Sequence, residues 1–248
     1  MPQAPLHQDP EGVGPVLVVS AHAADFVWRA GGFIASATSA GRVVAIVCLS
    51  FGERGESQGA WKKPGATLES VKAERRAEST AAADVLGASI RFLDKGDYPL
   101  PEDGSIIDEL VDIMREVQPS IILTHSVRDP YNTDHELASA LTIKARMVAQ
   151  AEGLKTQHPP IGAPAVFRFE PHQTEMCAFT PDVLVDITNV FDTKVRAMEC
   201  MQAQEHLVTY YTQVGLRRGV QAVRNGGAKS IVYGEAYQRV FPQVAGSL

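Results

Sequence analysis

The sequence predicts an α/β fold: a Rossmann-like, doubly wound and mostly parallel sheet with helices on both faces, plus a C-terminal extension. Three observations support this prediction. Short apolar runs alternate four times with helix-forming stretches between residues 16 and 152. The apolar runs are continuous, which is typical of parallel strands that are buried on both faces. The chain has 248 residues, 45% hydrophobic and 21% charged, the composition of a globular protein with a sizeable core.

The first half of the chain contains four strand–helix units. The apolar runs predict strands at residues 16–19, 43–49, 89–93 and 121–123. Stretches rich in helix formers or amphipathic in pattern predict helices at residues 26–40, 68–86, 106–117 and 136–152. Gly41 and Gly87 are stop signals for the first two helices, and Pro119 follows the third. The polar, Gly-rich residues 50–67 are predicted to form a loop.

The second half is less regular. Its apolar runs predict strands at residues 166–169, 183–187 and 231–233, the last of which would close the sheet, and helices at 190–204 and 207–223. No linker, repeat or low-complexity tract interrupts this half. We therefore expect residues 15–248 to form one α/β domain with a C-terminal extension, and residues 1–14 to form a flexible N-terminal arm.

Charge and motif content exclude several classes of protein. The 23 basic and 29 acidic residues leave a net charge of −6, which argues against nucleic acid or an anionic membrane as partner. No apolar run approaches the roughly 18 residues that span a bilayer. The three cysteines are widely spaced, and the N-terminus lacks an apolar signal core, so a reducing, cytoplasmic location is expected. The GxGxxG and GxxxxGK[ST] phosphate-binding patterns are absent.

Polar residues follow the first and fourth predicted strands. His22 and Asp25 come directly after the first strand, and His135 comes after the fourth. These two strands are neighbours at the switch point of a doubly wound sheet, so the residues that follow them should meet at one crevice. Two imidazoles and one carboxylate can hold a divalent metal with positions left open for water and substrate. The same set also describes a ferrous oxygenase site.

The run of residues 16–32 resembles the opening of the LmbE/PIG-L family of zinc-dependent de-N-acetylases, which implies an LmbE/PIG-L-like fold. The resemblance implies that His22, Asp25 and His135 bind Zn²⁺, although Fe²⁺ or Co²⁺ would fit the same ligands. Two positions depart from the family pattern. Ala24 replaces the aspartate that acts as general base, and Asn132 replaces a histidine. Amide hydrolysis by the family mechanism is therefore not expected, because it needs a base for water and an acid for the leaving amine.

Several separated segments resemble one subgroup of this family, the 4-oxalomesaconate (4-carboxy-2-hydroxymuconate) hydratases of gallate and protocatechuate degradation. The segments are SAHAADFVWRAGG, CLSFGERGES, GDYPL, DPYNTDH, FEPHQ and QEHL. The resemblance implies a hydro-lyase that adds water across a C=C bond of an unsaturated tricarboxylic acid and yields 4-carboxy-4-hydroxy-2-oxoadipate. It also implies assembly into a homo-oligomer.

The resemblance also suggests roles for single residues. A metal lowers the pKa of bound water, and Glu56, with Glu53 as the alternative, would take the proton of that water. His172 would act as the acid that protonates carbon. The carboxylates of the substrate need cations or amide donors, and the predicted substrate-binding residues are Arg54, Arg128 and Asn132.

Two other functions stay open at this point. A zinc-dependent N-deacetylase of the PIG-L type could act on an N-acyl sugar conjugate with a substitute base such as Glu56. Alternatively, the chain could be a non-catalytic, metal-binding or sensory protein whose site has decayed. Release of acetate would favour the first function, and metal binding without turnover would favour the second.

Overall fold

The computed structural model of the chain describes residues 13–245. Residues 1–12 of the predicted N-terminal arm lie outside the described residues, so the division into an arm and one domain stays a prediction. The strands are β1 (Val16–Ser20), β2 (Val44–Cys48), β3 (Ser89–Phe92), β4 (Ile121–Thr124), β5 (Ala165–Phe169), β6 (Val183–Asp186) and β7 (Gly234–Arg239). The α-helices are α1 (Asp25–Ser39), α2 (Gln58–Trp61), α3 (Leu68–Leu86), α4 (Gly104–Val117), α5 (Thr133–Ala149), α6 (Phe191–Glu199) and α7 (Leu207–Arg224).

The seven strands form one sheet in the order β3-β2-β1-β4-β5-β7-β6. The pairs from β3 to β5 are parallel, and β7 runs antiparallel to both of its neighbours. The predicted α/β fold with a mostly parallel sheet is therefore confirmed. Within residues 13–245, every helix is too short or too polar to pass through a lipid bilayer.

The central strand β1 is buried on both faces. Val16 and Val18 pack in a core cluster with residues of α1, α3 and α6, whereas Leu17 and Val19 pack in a second cluster with residues of α4 and α5. All four side chains are fully buried, and each such burial contributes about 1.5–3 kcal/mol. This packing holds the carboxyl end of β1, where the candidate site begins.

The start of α5 differs from the prediction, and the difference matters for the site. Asn132 caps the helix by accepting a hydrogen bond from the Asp134 amide at 3.2 Å. The helix therefore begins at Thr133, three residues before the predicted start. As a result, Asp134 and His135 lie in its first turn instead of in a loop.

The predicted closing strand at residues 231–233 is wrong, because β7 occupies Gly234–Arg239. This strand contains Glu235, a charged residue that is only 4% exposed. Its carboxylate pairs with Lys194 at 2.6 Å and accepts hydrogen bonds from the Gly32 and Phe33 amides at 2.8 and 2.7 Å. These partners compensate the cost of burying the charge and fix β7 against α1.

Two further predictions need correction. The predicted loop at residues 50–67 contains the short helix α2, where the Trp61 indole donates to the Glu53 carbonyl at 2.6 Å. The predicted helix at residues 190–204 is divided into α6 and a separate 3₁₀ turn at Gln202–Gln204. That turn is held by α3, because the Ala203 amide donates to the Glu78 carboxylate at 2.9 Å.

Candidate metal centre and active site

The polar residues that follow β1 and those that follow β4 lie at the same edge of the sheet. β1 and β4 are adjacent and parallel, so their carboxyl ends meet there. His22 lies between β1 and α1, and Asp25 is the first residue of α1. His135 lies in the first turn of α5, and Glu56 comes from the segment between β2 and α2. The fold thus brings three distant segments of the chain together.

These four residues form a cluster of potential metal ligands, called the ligand cluster below. One donor atom from each of them lies within 4.8 Å of the other three. Asp25 Oδ2 lies 3.3 Å from His22 Nδ1, and Asp25 Oδ1 lies 3.3 Å from His135 Nε2. Glu56 Oε1 lies 3.4 Å from His22 Nδ1. The structure therefore brings the three predicted ligands to one point and adds the predicted base Glu56 to them.

Each imidazole of the cluster has one supported nitrogen and one free nitrogen. His22 Nε2 lies 3.3 Å from Asp134 Oδ2, and His135 Nδ1 lies 2.8 Å from Asp129 Oδ2. The other two ring nitrogens are buried and have no hydrogen-bond partner among the described residues. A carboxylate behind a metal-binding histidine commonly sets its tautomer and orientation. Two free nitrogens beside two carboxylates form a donor set that fits a divalent cation.

The electrostatics of the cluster favour positive charge. Burial by itself lowers the pKa of His22, but Glu56 and Asp134 outweigh burial and hold that pKa well above its usual value. Burial by itself raises the pKa of Asp25, but the neighbouring His135 outweighs it and holds that pKa well below its usual value. The same arrangement of charges would stabilise a bound cation.

Asp134 connects the ligand cluster to the loop after β3. Its carboxylate accepts hydrogen bonds from the Tyr98 and Leu100 amides at 2.9 and 2.8 Å. Burial opposes ionisation, yet the bonds from His22 and these amides lower the pKa of Asp134 to about 2. The ionised carboxylate therefore positions both His22 and Tyr98.

His125, which follows β4, supports the cluster without belonging to it. Its Nε2 accepts a hydrogen bond from the Ala21 amide at 2.9 Å. Its ring stacks on His135 with 4.2 Å between the ring centroids. Burial and the neighbouring His135 lower the pKa of His125 to about 3, so the ring is neutral.

A cavity of about 170 Å³ opens over the ligand cluster. Its lining consists of Asp25, Trp28, Arg29, Glu56, Tyr98, Asp129, Tyr131, Asn132, His135, His172, Gln204, Leu207 and Tyr211. Three residues that were predicted for catalysis or substrate binding are therefore at the cavity: Glu56, His172 and Asn132.

Asn132 links two other residues of the cavity. Its side-chain amide Nδ2 donates to Glu56 Oε1 at 2.9 Å and to Tyr98 Oη at 3.1 Å. The first bond orients the Glu56 carboxylate. In the second bond the tyrosine oxygen is the acceptor, so the hydroxyl hydrogen of Tyr98 stays available for a ligand.

His172 lies four residues after Arg168 of β5 and is half-buried. Its ring stacks on Tyr210 with 4.2 Å between the ring centroids, and its carbonyl accepts a hydrogen bond from the Tyr210 hydroxyl. Burial first, and then the charge of Arg29, lower the pKa of His172. The imidazole is therefore mostly neutral at neutral pH.

The structure does not bring the predicted substrate-binding residues Arg54 and Arg128 to the cavity. Both side chains are exposed, and neither belongs to the described lining. Arg54 Nη1 instead donates to the Asp97 carbonyl at 2.8 Å. Glu53, the alternative base, is fully buried and accepts a hydrogen bond from the Phe51 amide at 3.1 Å, also outside the described lining.

Sequence reasoning missed several residues of the cavity, among them Arg29, Tyr98 and Tyr211. A signal for Arg29 exists, because it lies four residues after Asp25, which places both on one face of α1. Tyr98 belongs to the GDYPL segment, but its place depends on hydrogen bonds with distant residues. Tyr211 lies within a helix, where an aromatic residue ordinarily indicates packing.

Comparison with known proteins gives a consistent set of relatives. Residues 17–146 match the model of the PIG-L family, described as GlcNAc-PI de-N-acetylase. A 4-oxalmesaconate hydratase from Pseudomonas putida is 54% identical over 235 residues, which cover 94% of this chain and 91% of that protein. The crystal structure of GalB, the 4-carboxy-2-hydroxymuconate hydratase from Pseudomonas putida KT2440, has a TM-score of 0.92 at 53% identity and covers 95% of this chain and 99% of that one. A diacetylchitobiose deacetylase from Thermococcus kodakarensis is 28% identical over 77% of this chain and 70% of that protein. By its matched residues and its relatives, the chain belongs to the PIG-L family.

Proposed function

We propose that this protein is a metal-dependent hydratase that adds water across a C=C bond of 4-oxalomesaconate (4-carboxy-2-hydroxymuconate) in the breakdown of aromatic acids. The product is 4-carboxy-4-hydroxy-2-oxoadipate. The observation that carries the proposal is an intact ligand cluster next to Ala24, which is fully buried and offers neither acid nor base. Amide hydrolysis must protonate a leaving amine, whereas hydration has no leaving group and needs a base for water and an acid for carbon. The 54% identity to a 4-oxalmesaconate hydratase supports the same substrate.

The ligands assigned in this proposal are His22, Asp25 and His135. Nitrogen and carboxylate donors suit Zn²⁺, and Fe²⁺ or Co²⁺ would suit the same set. A divalent cation held there supplies Lewis acidity, which makes water a stronger acid near neutral pH.

Glu56 takes the proton of the attacking water in this proposal. Its side chain is 15% exposed, against 3% for Asp25, and it lines the cavity. Asn132 holds one of its oxygens, Oε1, and the described residues offer no hydrogen-bond partner to the other. An oriented carboxylate with a free oxygen is suited to accept a proton.

His172 supplies the proton that completes the addition. Attack on a conjugated double bond leaves enolate charge on the substrate, and a carbon atom must then be protonated. The proton of water goes to Glu56, and the proton of the His172 imidazolium goes to carbon, so the elements of water are added in balance. The free hydroxyl hydrogen of Tyr98 can donate to a substrate oxygen while this charge develops.

The test of this proposal is an ultraviolet assay. Metal-loaded protein should remove the conjugated absorbance of 4-carboxy-2-hydroxymuconate, a chelator should stop the reaction, and added metal should restore it. N-acetylglucosaminyl conjugates should release no acetate under the same conditions. Unchanged absorbance with a fully metal-loaded sample would contradict the substrate assignment. Acetate release would instead favour a PIG-L de-N-acetylase, oxygen uptake would favour an oxygenase, and metal binding alone would favour a non-catalytic protein.

We also expect a tricarboxylate to bind with uptake of a proton near pH 7. The pKa of His172 is lowered in the free protein, so its ring begins neutral. Carboxylates placed beside the ring favour the imidazolium and raise its pKa in the complex, so uptake should approach about one proton per site. Calorimetry with propane-1,2,3-tricarboxylate in buffers of different ionisation enthalpy measures this uptake.

The matched variants for this measurement are His172→Asn and His206→Asn. His206 is exposed and does not belong to the described lining of the cavity. Uptake should vanish in the first variant and persist in the second. Equal uptake in the two variants would show that another group titrates.

Two other expectations from the sequence stay predictions. They are a cytoplasmic location and assembly into a homo-oligomer. Light scattering after size-exclusion chromatography measures the mass in solution against the 26.8 kDa of one chain.

A further inference from the structure

Arg29 is the only arginine or lysine in the described lining of the cavity. It lies on α1, one turn after Asp25, and is only 8% exposed. Arginine is almost always protonated, and it is seldom buried unless partners satisfy its charge and its N–H groups. Its hydrogen bonds therefore indicate whether its role is structural.

Most of the N–H donors of Arg29 have no acceptor within residues 13–245. Of its three nitrogens, Nη1 donates to the Glu170 carbonyl at 3.1 Å. Among the described residues Nε has no hydrogen-bond partner, and Asp25 Oδ1 lies 3.5 Å from it, which is too long for a good hydrogen bond. Nη2 has no hydrogen-bond acceptor among the described residues. The edge formed by Nε and Nη2, which carries two parallel N–H groups, is therefore open.

Two other buried arginines of the chain are satisfied by the protein. Arg115, 1% exposed, donates through all three nitrogens to backbone carbonyls or to Thr156. Arg218, 8% exposed like Arg29, places Nε and Nη2 on the Glu170 carboxylate. The open edge of Arg29 is thus not a general property of buried arginines in this fold.

The acids near Arg29 are committed to other partners. Asp25 lies between the two imidazoles and also accepts a hydrogen bond from the His22 amide at 2.8 Å. Asp129 holds His135 at 2.8 Å. Asp25 and Asp129 are therefore both engaged away from the open edge, and a bound carboxylate would match its two parallel N–H groups with both oxygens.

We infer that the open edge of Arg29 binds one carboxylate of the substrate and makes the site selective for a tricarboxylate. This inference rests on the proposed function, because it assigns the residue that recognises the acid. It also disfavours an uncharged N-acyl sugar at this site, because such a ligand would leave the guanidinium without an anion.

The test compares three ligands that cannot be hydrated: propane-1,2,3-tricarboxylate and its two monoamides, central and terminal. Calorimetry measures their Kd with metal-loaded wild-type protein and with Arg29→Gln. In the wild type, one of the monoamides should bind about 10- to 100-fold more weakly than the triacid, since a hydrogen-bonded charge is lost. In Arg29→Gln, the Kd of the triacid should rise by a similar factor, and the triacid should no longer bind more tightly than that monoamide.

Matched variants separate recognition from structure. Arg196→Gln makes the same change at an exposed position of α6 and should leave the preference unchanged. Arg29→Lys keeps the positive charge but lacks the two parallel N–H groups, so the preference for the triacid over the monoamide should become smaller without vanishing. This variant also tests the inference if Arg29→Gln folds poorly. The inference is overturned if Arg29→Gln weakens the three ligands equally, if it changes none of them, or if Arg29→Lys keeps the full preference.

The outcomes also distinguish this inference from the proposed function. Loss of the preference in a protein that does not hydrate the muconate would leave Arg29 as a carboxylate-binding residue and reject the reaction. Hydration together with an unchanged preference in Arg29→Gln would retain the reaction and reject the inference.

Discussion

Replacement of Glu56 by glutamine should slow hydration by about a thousandfold, within the range of a general base, while the metal content stays at the wild-type level. Glutamine keeps the size of the side chain, and its Oε1 can still accept the hydrogen bond from Asn132. It removes only the ability to take a proton. The ultraviolet assay gives the rate, and elemental analysis of the same sample gives the metal content.

The control for this variant is Glu102→Gln, which makes the same change at an exposed acid before α4. It should stay within about twofold of the wild type, because surface substitutions away from special features change little. Loss of metal from Glu56→Gln would move Glu56 from proton transfer to the ligand set, a real alternative since its Oε1 lies 3.4 Å from His22 Nδ1. Full activity in Glu56→Gln would reject both roles.

The parallel half of the sheet could be predicted because its signals are local. The runs that became β1, β2 and β4 are continuous and apolar, since packing on both faces of a parallel sheet leaves no polar face. The end of α3 is also local, because Gly87 takes the left-handed conformation that glycine favours, with φ 73°. The start and stop signals of such elements lie in the adjoining sequence, so their observed bounds are within a few residues of the predicted ones.

The last strand along the chain, β7, could not be predicted because its signal is not local. β7 contains a buried Glu235, and a charged residue in a strand ordinarily indicates an exposed face. Lys194 on α6 and the amides of α1 make this burial possible together with the Tyr237 hydroxyl of the same strand, and Lys194 and these amides lie at least 41 positions away in sequence. The apolar residues 231–233 offered the stronger local pattern, although the strand begins just after them.

The same distinction applies to the candidate site. The meeting of His22, Asp25 and His135 follows from strand order, because side chains after adjacent parallel strands share one edge. Arg29 was missed because an arginine within a helix ordinarily faces solvent, whereas Arg54 and Arg128 were chosen for their place in loops. Loop residues near a site can point away from it, and in the structure both of these side chains are exposed.

Replacement of His135 should abolish both metal binding and hydration. Neutralisation of the carboxylate behind it, Asp129, should lower the metal affinity but leave the hydration rate of the metal-loaded protein nearly unchanged. His135→Ala deletes a ligand nitrogen, so the rate should fall by about a thousandfold or more, since metal assistance is worth several kcal/mol. Asp129→Asn keeps an acceptor for His135 Nδ1 without its charge. Metal affinity in that variant should fall by about 10- to 100-fold, the usual effect of losing a partner of a metal ligand.

A metal titration separates the two effects. Excess metal should restore most of the rate in Asp129→Asn, because its ligands are complete, and should restore little in His135→Ala. Competition with a chromophoric chelator gives the affinities, and His158→Ala, a half-buried histidine outside the ligand cluster, is the control. Wild-type affinity in Asp129→Asn would mean that its charge does not support the metal. Wild-type affinity and rate in His135→Ala would remove this residue from the ligand set. A bound metal would then no longer explain why His22 Nδ1 and His135 Nε2 both lack hydrogen-bond partners among the described residues.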